Sequence, residues 1–158
     1  MPPVEVDRSA VAGVLAPPPL IYAVPLAAGL LLDHWFPLVI VARSIAVPIG
    51  VTAVLLGLIG LPAIIAFRRA ATTPNPYRPT TALVTTGPFR WSRNPMYLGF
   101  TLLYLGVSFW VDTAWPLFAL PVILAVMQYG VVVREEAYLE ARFGDQYRAY
   151  RQRVRRWL

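Results

Sequence analysis

The chain has 158 residues, of which 58% are hydrophobic and 14% are charged, a composition that excludes an ordinary soluble globular domain. It has no cysteine and one histidine, which excludes disulfides and any metal site built from a cluster of Cys and His ligands. The net charge of +6 comes from arginines that flank apolar segments, so we expect the anionic partner to be a membrane surface and not a nucleic acid.

Four apolar segments follow one another along the chain, and each predicts a transmembrane helix. They cover about residues 19–35, 45–67, 95–111 and 114–133. A helix needs roughly 20 apolar residues to cross a hydrocarbon core about 30 Å thick. Pro48 and Pro62 lie inside the second segment together with several glycines, which predicts a kinked helix with a close-packing face.

A long connection, residues 70–94, separates the second and third segments. It is rich in Thr, Pro and Gly, which oppose regular structure. Its prolines lower the conformational entropy of the unfolded chain, and its apolar side chains, such as Leu83, Val84 and Phe89, can pack against other parts of the protein. We therefore predict an ordered loop.

The fourth segment continues without a helix breaker into Arg134, Glu135 and Glu136, so the same helix is expected to project from the membrane. Gly144 and Asp145 then predict a helix end and a new helix start. In the last helix, apolar and aromatic residues recur every three or four positions, which predicts an amphipathic helix resting on anionic headgroups. These residues are Tyr147, Tyr150, Val154, Trp157 and Leu158.

The fold expectation is an all-α polytopic membrane protein with about four transmembrane helices and a C-terminal interfacial amphipathic helix. It forms one domain over residues 1–158, with two spans in 1–69 and the loop, two further spans and the last helix in 70–158. Arg43 is the only arginine placed on the outer side of these spans, so the positive-inside rule puts both termini in the cytosol. Residues 1–16 do not predict a cleavable signal peptide.

The most informative pattern has three parts in a fixed order. The first is the string Arg93-Asn94-Pro95-Met96-Tyr97-Leu98-Gly99, the second is Glu135-Glu136, and the third is Phe143-Gly144 followed by Tyr147 and Tyr150. Over about residues 72–158 the chain therefore resembles the isoprenylcysteine carboxyl methyltransferase family and its phospholipid N-methyltransferase relatives. It departs from that family at Asn94, where histidine is usual, and an amide cannot exchange a proton.

The resemblance implies a methyltransferase of a bacterial inner membrane that uses S-adenosyl-L-methionine and no metal. The implied substrate is lipophilic, either the carboxylate of a prenylated thiol compound or a lipid headgroup amine. Glu135, Glu136 and Arg93 are the expected catalytic residues. The expected cofactor-binding residues are Leu83, Val84, Gly87, Arg93, Asn94, Pro95, Tyr97, Leu98, Gly99, Glu135, Glu136, Tyr147 and Tyr150.

The residues themselves support parts of this assignment and leave simpler roles open. The third span begins at Asn94 and Pro95, and its free N–H groups suit a carboxylate, but the same two residues also suit plain helix capping. The two glutamates could hold the cofactor and an arginine, or could be a solvated helix end neutralised by nearby arginines.

Tyr97, Thr101, Tyr104 and Ser108 place four hydroxyls on one face of the third span. We expect Tyr97 to lie near the cofactor and the deeper three to form interhelical hydrogen bonds.

Two other functions remain open from the sequence. One is an NADPH-dependent membrane sterol or enone reductase, although its phosphorylated cofactor should demand more basic loop positions than this short chain offers. The other is a non-enzymatic membrane accessory protein with the same fold. The cofactor that binds, if any, distinguishes the three possibilities.

Overall fold

The structure is a computed structural model that describes residues 11–158. This part of the chain contains helices, turns and one isolated bridge but no β-strand, which confirms the all-α prediction. Its α-helices are α1 (Pro18–Trp35), α2 (Arg43–Gly57), α3 (Gly60–Arg69), α4 (Pro95–Val111), α5 (Trp115–Ala125), α6 (Val133–Phe143) and α7 (Asp145–Arg153). A 3₁₀ turn covers Gly87–Arg90, and a π-helical segment covers Val126–Val132.

Two helical stretches among the described residues are long and apolar enough to cross a membrane, namely Arg43–Arg69 and Trp115–Phe143. The helix α4 is apolar but has 17 residues, and α1 ends in the polar pair Asp33 and His34. Two spans are thus supported, and the predicted four are not confirmed. The orientation also stays a prediction, and Arg8, which contributed to it, lies outside the described residues.

The second apolar segment is kinked, as its prolines predict. Between α2 and α3, the backbone N–H groups of Leu58 and Ile59 donate to carbonyls three residues back, and not four. Pro62 accounts for this break, because it has no N–H to donate to the Leu58 carbonyl and its ring crowds that oxygen.

The helix α4 packs closely against α2 and α3 through facing glycines. A Cβ added to Gly99 would lie 2.8 Å from the Gly57 carbonyl oxygen, and one added to Gly106 would lie 3.0 Å from the Gly50 carbonyl oxygen. Without side chains at these positions, the two backbones can approach each other. The predicted close-packing face is present.

The helix α5, the π-helical segment and α6 form one continuous helix from Trp115 to Phe143, as the absence of a breaker predicts. The apolar part of this helix ends at Val133. The charged residues Arg134, Glu135 and Glu136 follow that apolar part in the same helix. The π-helical segment was not predicted. Its wider turn changes the register, so that Tyr129 is exposed while Glu136, seven residues later, is buried.

Residues 70–94 form an ordered loop, as predicted. The backbone N–H of Thr80 donates to the Tyr138 hydroxyl at 2.9 Å, and that of Thr81 donates to Thr72 Oγ1 at 3.0 Å. A small core joins this loop to α3, and its members are Val84, Phe89, Ala63 and Ala66. The loop is therefore fixed to both α3 and α6.

The C-terminal helix differs from the prediction. It ends at Arg153, Val154 is extended, and Arg155 pairs with Ser92 in an isolated parallel bridge. Tyr147 and Tyr150 are buried within the protein. The prediction of a helix that rests its aromatic face on headgroups is therefore wrong for these two tyrosines, because the loop and the start of α4 cover them.

The deeper hydroxyls of α4 have partners inside the bundle. Thr101 shares a 2.9 Å hydrogen bond with Tyr22 of α1, and the Tyr104 hydroxyl donates to the Pro116 carbonyl at 2.7 Å. These two bonds are interhelical, as predicted. Ser108 instead donates to the Tyr104 carbonyl within its own helix at 2.8 Å.

Candidate active site

A cavity lies between the ordered loop, the start of α4, α6 and α7. Its free space, including the open mouth, is about 820 Å³. Most of the residues predicted to bind a cofactor line its wall. They are Leu83, Val84, Arg93, Asn94, Pro95, Tyr97, Glu135, Glu136, Tyr147 and Tyr150.

Three predicted residues lie away from this wall. Gly87 starts the 3₁₀ turn with φ 61° and faces α3, where an added Cβ would lie 3.9 Å from Ala66 Cβ. Gly99 packs against Gly57, and Leu98 is partly exposed on α4. Positive φ in the loop and close helix packing account for the two glycines without any ligand.

Glu136 is a buried carboxylate held between two arginines. Arg93 Nη2 donates to its Oε1 at 2.8 Å, while Arg156 donates to Oε1 from Nε at 3.1 Å and to Oε2 from Nη2 at 2.7 Å. Only 8% of Glu136 is exposed, and a charge at that depth requires such partners. Both of its oxygens are therefore occupied by the protein itself.

Glu135, the preceding residue, has a different environment. Its Oε1 accepts one hydrogen bond, from the Tyr97 hydroxyl at 2.7 Å, and no arginine pairs with it among the ion pairs of the described residues. Burial raises the pKa of the Glu135 carboxyl to about 7, and the Tyr97 hydrogen bond opposes that rise. Among the described residues, Glu135 therefore lines the cavity with acceptor capacity that the Tyr97 hydroxyl does not use up.

Two buried polar atoms of the cavity wall have no hydrogen-bond partner within residues 11–158. They are the Tyr147 hydroxyl and Arg93 Nε. Tyr147 is 1% exposed, and burial is the main factor that raises its pKa to about 12, so its hydroxyl is neutral. Buried polar groups nearly always have partners, so a bound water or a ligand is expected to satisfy these two atoms.

Tyr150 and Asn94 line the cavity but already have protein partners. The Tyr150 hydroxyl donates to the Phe89 carbonyl at 2.7 Å, which fixes α7 to the loop. Asn94 Nδ2 donates to the Arg156 carbonyl at 2.9 Å, and the Asn94 side chain makes no cap bond at the start of α4. Asn94 does occupy the N-cap position, with Pro95 in the first turn, as the capping alternative predicted; its side chain does not cap the helix, because its amide donates to the C-terminal segment.

Several further residues of the wall were not predicted from the sequence. Most come from the loop and from the exposed side of α6, and they include Thr73, Asn75, Arg78, Thr80, Tyr138 and Leu139. The sequence signal for these residues was the proline-rich loop that contains most of them. The loop was predicted to be ordered, but the sequence did not specify which of its side chains face the cavity. Within the described residues, no group of three or more His, Asp or Glu side chains is placed to hold a metal ion.

Comparisons with known proteins identify the family of the chain. A family model for phospholipid methyltransferases matches residues 45–146, which is more than half of the chain. Over 63 residues the chain is 40% identical to an uncharacterized protein of Haemophilus influenzae (strain Rd), a stretch that covers 40% of this chain and all of that protein. No solved structure matches the chain. The resemblance found in the sequence is thus confirmed, and the chain belongs to the phospholipid methyltransferase family.

Proposed function

We propose that this protein is a membrane methyltransferase that uses S-adenosyl-L-methionine and acts on a lipophilic acceptor. The family supports methyl transfer in a membrane setting. The observation that carries the cofactor assignment is the cavity wall. There, counting partners among residues 11–158 only, Glu135 retains acceptor capacity and the Tyr147 hydroxyl and Arg93 Nε have no partner.

The chemical groups of the wall match those of the proposed cofactor. A carboxylate such as Glu135 suits an ammonium group or a ribose diol, and the N–H groups in the first turn of α4 suit a carboxylate. Leu83, Val84 and Phe89 provide an apolar surface for an adenine ring. Charged and apolar groups thus lie in one cavity, as a nucleoside joined to an amino acid requires.

When bound, S-adenosyl-L-methionine supplies a methyl group on a positively charged sulfur. The protein's contribution is to align donor and acceptor and to exclude water, since displacement at a methyl carbon depends mainly on geometry. Tyr97 fixes the Glu135 side chain through its 2.7 Å hydrogen bond. Glu135 then holds its charge at a defined point of the wall.

The two expected classes of acceptor place different demands on Glu135. A carboxylate acceptor needs no base, whereas an ammonium acceptor must first lose a proton. Glu135 is the available base, because Glu136 is occupied by Arg93 and Arg156. We therefore assign proton acceptance to Glu135 for a lipid headgroup amine, and a purely electrostatic role to it for the carboxylate of a prenylated thiol compound.

The cavity also has an apolar side suited to a lipid chain. Ala12, Phe67 and Met96 contribute to it, and Phe67 lies on α3, within a stretch apolar enough to cross a membrane. A hydrophobic acceptor could thus reach the cavity from the bilayer while its polar end meets the charged wall.

Calorimetric titration of the detergent-purified protein tests this function. We expect heat of binding with S-adenosyl-L-methionine and with its demethylated product, and none with NADPH. Binding of NADPH alone would instead favour the reductase, and binding of neither would favour the accessory protein. The family match favours the first outcome.

A further inference from the structure

The last five residues of the chain, 154–158, fold back beside the entry to α4. The Arg93 backbone N–H donates to the Arg155 carbonyl at 2.9 Å, Asn94 Nδ2 donates to the Arg156 carbonyl at 2.9 Å, and Ser92 Oγ donates to the same carbonyl at 3.3 Å. The Arg156 guanidinium then reaches Glu136 on α6. One residue, Arg156, therefore contacts both the segment before α4 and the neighbouring helix.

Arg156 is not itself part of the cavity wall, whereas its partners Glu136, Arg93 and Asn94 are. It supplies two of the three hydrogen bonds on the Glu136 carboxylate and the only one among these three that reaches Oε2. Its side chain is 39% exposed, compared with 9% for Arg93 and 11% for Glu136. Arg156 thus approaches the buried pair from the solvent side.

Without Arg156, the Glu136 carboxylate would keep Arg93 as its partner on one oxygen only. A buried carboxylate with an unsatisfied oxygen is unstable, and it would turn toward solvent or toward the cavity. Either movement would displace Arg93, which lines the cavity and whose Nε has no partner among the described residues. The geometry of the charged end of the cavity therefore depends on a residue outside it.

We propose that Arg156 is a positioning residue for the cofactor pocket, acting through Glu136 and Arg93. This inference rests on the proposed function, because the ligand that the pocket holds is taken to be S-adenosyl-L-methionine. Asn94 shares the role, since its amide fixes the Arg156 backbone. Histidine is usual at the position of Asn94 in the family. The positioning role of Asn94 requires a hydrogen-bond donor but no proton exchange, so an amide can perform it.

The test compares Arg156→Ala with Arg153→Ala in the full-length protein. Arg153 is exposed, and its guanidinium donates to the Ala149 carbonyl in its own helix, so its removal changes the charge equally without touching the pocket. The measured quantities are the Kd of S-adenosyl-L-methionine by calorimetry and the Tm of the ligand-free protein. We expect Arg156→Ala to raise Kd by roughly tenfold and Arg153→Ala to leave it within about twofold.

A double variant shows whether Arg156 acts through Glu136. In a Glu136→Gln background, Arg156→Ala should raise Kd by no more than about twofold further, because the coupling partner is already changed. A second full tenfold rise would overturn the proposed route. A purely structural role predicts a lower Tm for Arg156→Ala with the wild-type Kd, and that result would overturn the inference.

Arg156→Lys provides a second variant in case Arg156→Ala does not fold. Lysine keeps the charge but cannot form the bidentate contact that arginine makes with a carboxylate, so the Kd of S-adenosyl-L-methionine should rise by roughly threefold. A wild-type Kd for Arg156→Lys in that case would overturn the inference. Failure of the wild-type protein to bind S-adenosyl-L-methionine would instead overturn the proposed function, so the two failures are distinguishable.

Discussion

Glu135 and Glu136 are adjacent in the sequence, but the structure gives them separate tasks. Within residues 11–158, Glu136 is paired with two arginines, whereas Glu135 has one hydroxyl donor and lines the cavity. The sequence predicted that one acid would bind the cofactor and the other would fix an arginine. It could not assign which, because that choice depends on the rotation introduced by the π-helical segment.

We expect the affinity for S-adenosyl-L-methionine to depend on pH through Glu135. Burial raises the pKa of this carboxyl to about 7, so its ionised form, which attracts a cationic ligand, becomes populated as pH rises through that value. Affinity should therefore increase between about pH 6 and about pH 8, and Glu135→Gln should remove most of the increase. Calorimetric titrations across this range provide the measurement, and equal slopes for the two proteins would contradict the assignment.

The same group should affect the stability of the ligand-free protein with the opposite sign. Its folded-state pKa lies above the ordinary glutamate value of 4.5, so the unfolded chain loses the proton first as pH rises. The contribution of Glu135 to stability is therefore fully present below about pH 4.5 and is lost by about pH 7. Between about pH 4.5 and about pH 7, the Tm of the wild-type protein should fall more steeply with rising pH than the Tm of Glu135→Gln.

Tyr147 and Tyr150 form a matched pair for testing the ligand space. The Tyr147 hydroxyl has no partner in the part of the chain that the structure describes, so Tyr147→Phe should leave the Tm of the ligand-free protein unchanged or raised. If the hydroxyl contacts the ligand, the same change should weaken S-adenosyl-L-methionine binding. Tyr150→Phe removes the bond to the Phe89 carbonyl, so it should lower the stability by about 1 kcal/mol. Thermal unfolding and calorimetry separate the two effects. Wild-type ligand affinity in Tyr147→Phe would argue against the hydroxyl as a contact.

At the level of helices, Gly99 shows how a motif residue can serve packing. It belongs to the string that carries the family resemblance, and the sequence assigned it to the cofactor. In the structure it faces the Gly57 carbonyl and does not line the cavity. Its place in the motif is explained by the close approach of two backbones, which also fixes where the first turn of α4 stands.

Gly99→Ala and Gly60→Ala test this packing role. A Cβ at Gly99 would lie 2.8 Å from a backbone oxygen, so Gly99→Ala should destabilise the protein by roughly 1–3 kcal/mol. A Cβ at Gly60 meets nothing within 4 Å, so Gly60→Ala at the start of α3 should be neutral or stabilising. Tm values in one detergent provide the comparison. If Gly99→Ala lowers the affinity for the cofactor without lowering the Tm, Gly99 takes part in cofactor binding and the packing explanation is wrong.

For the whole molecule, the sequence predicted the helical class, a kink in the second apolar segment and the continuous last long helix, because each follows from a local pattern of apolar residues and breakers. It did not specify which of Pro48 and Pro62 causes the kink. It did not predict the fold-back of residues 154–158. That fold-back depends on backbone atoms of Arg93 and on the Asn94 amide, which are more than 50 residues away in the chain. Long-range contacts of this kind leave no periodic signal, so the C-terminal part of the site emerged only from the structure.

The two ends of the helical bundle differ in charge, and this difference predicts the orientation. At one end, the connection between α1 and α2 meets the turn between α4 and α5, where Asp112 Oδ1 accepts the Ile40 N–H at 3.0 Å and the Ala114 N–H donates to the Leu38 carbonyl at 2.7 Å. The cavity and most of the arginines lie at the other end. By the positive-inside rule, the cavity end should face the cytosol, where S-adenosyl-L-methionine is made.

The absence of cysteine makes this orientation directly testable. Val39→Cys, at an exposed position in the α1–α2 connection, and Arg153→Cys, at the exposed end of α7, each introduce a single thiol. In intact cells, a maleimide that cannot cross membranes should label Val39→Cys, and it should label Arg153→Cys only after the cells are opened. In the four-span topology, three crossings separate residue 39 from residue 153, so the two positions lie on opposite sides of the membrane. Labelling of both thiols from the same side would therefore contradict this topology.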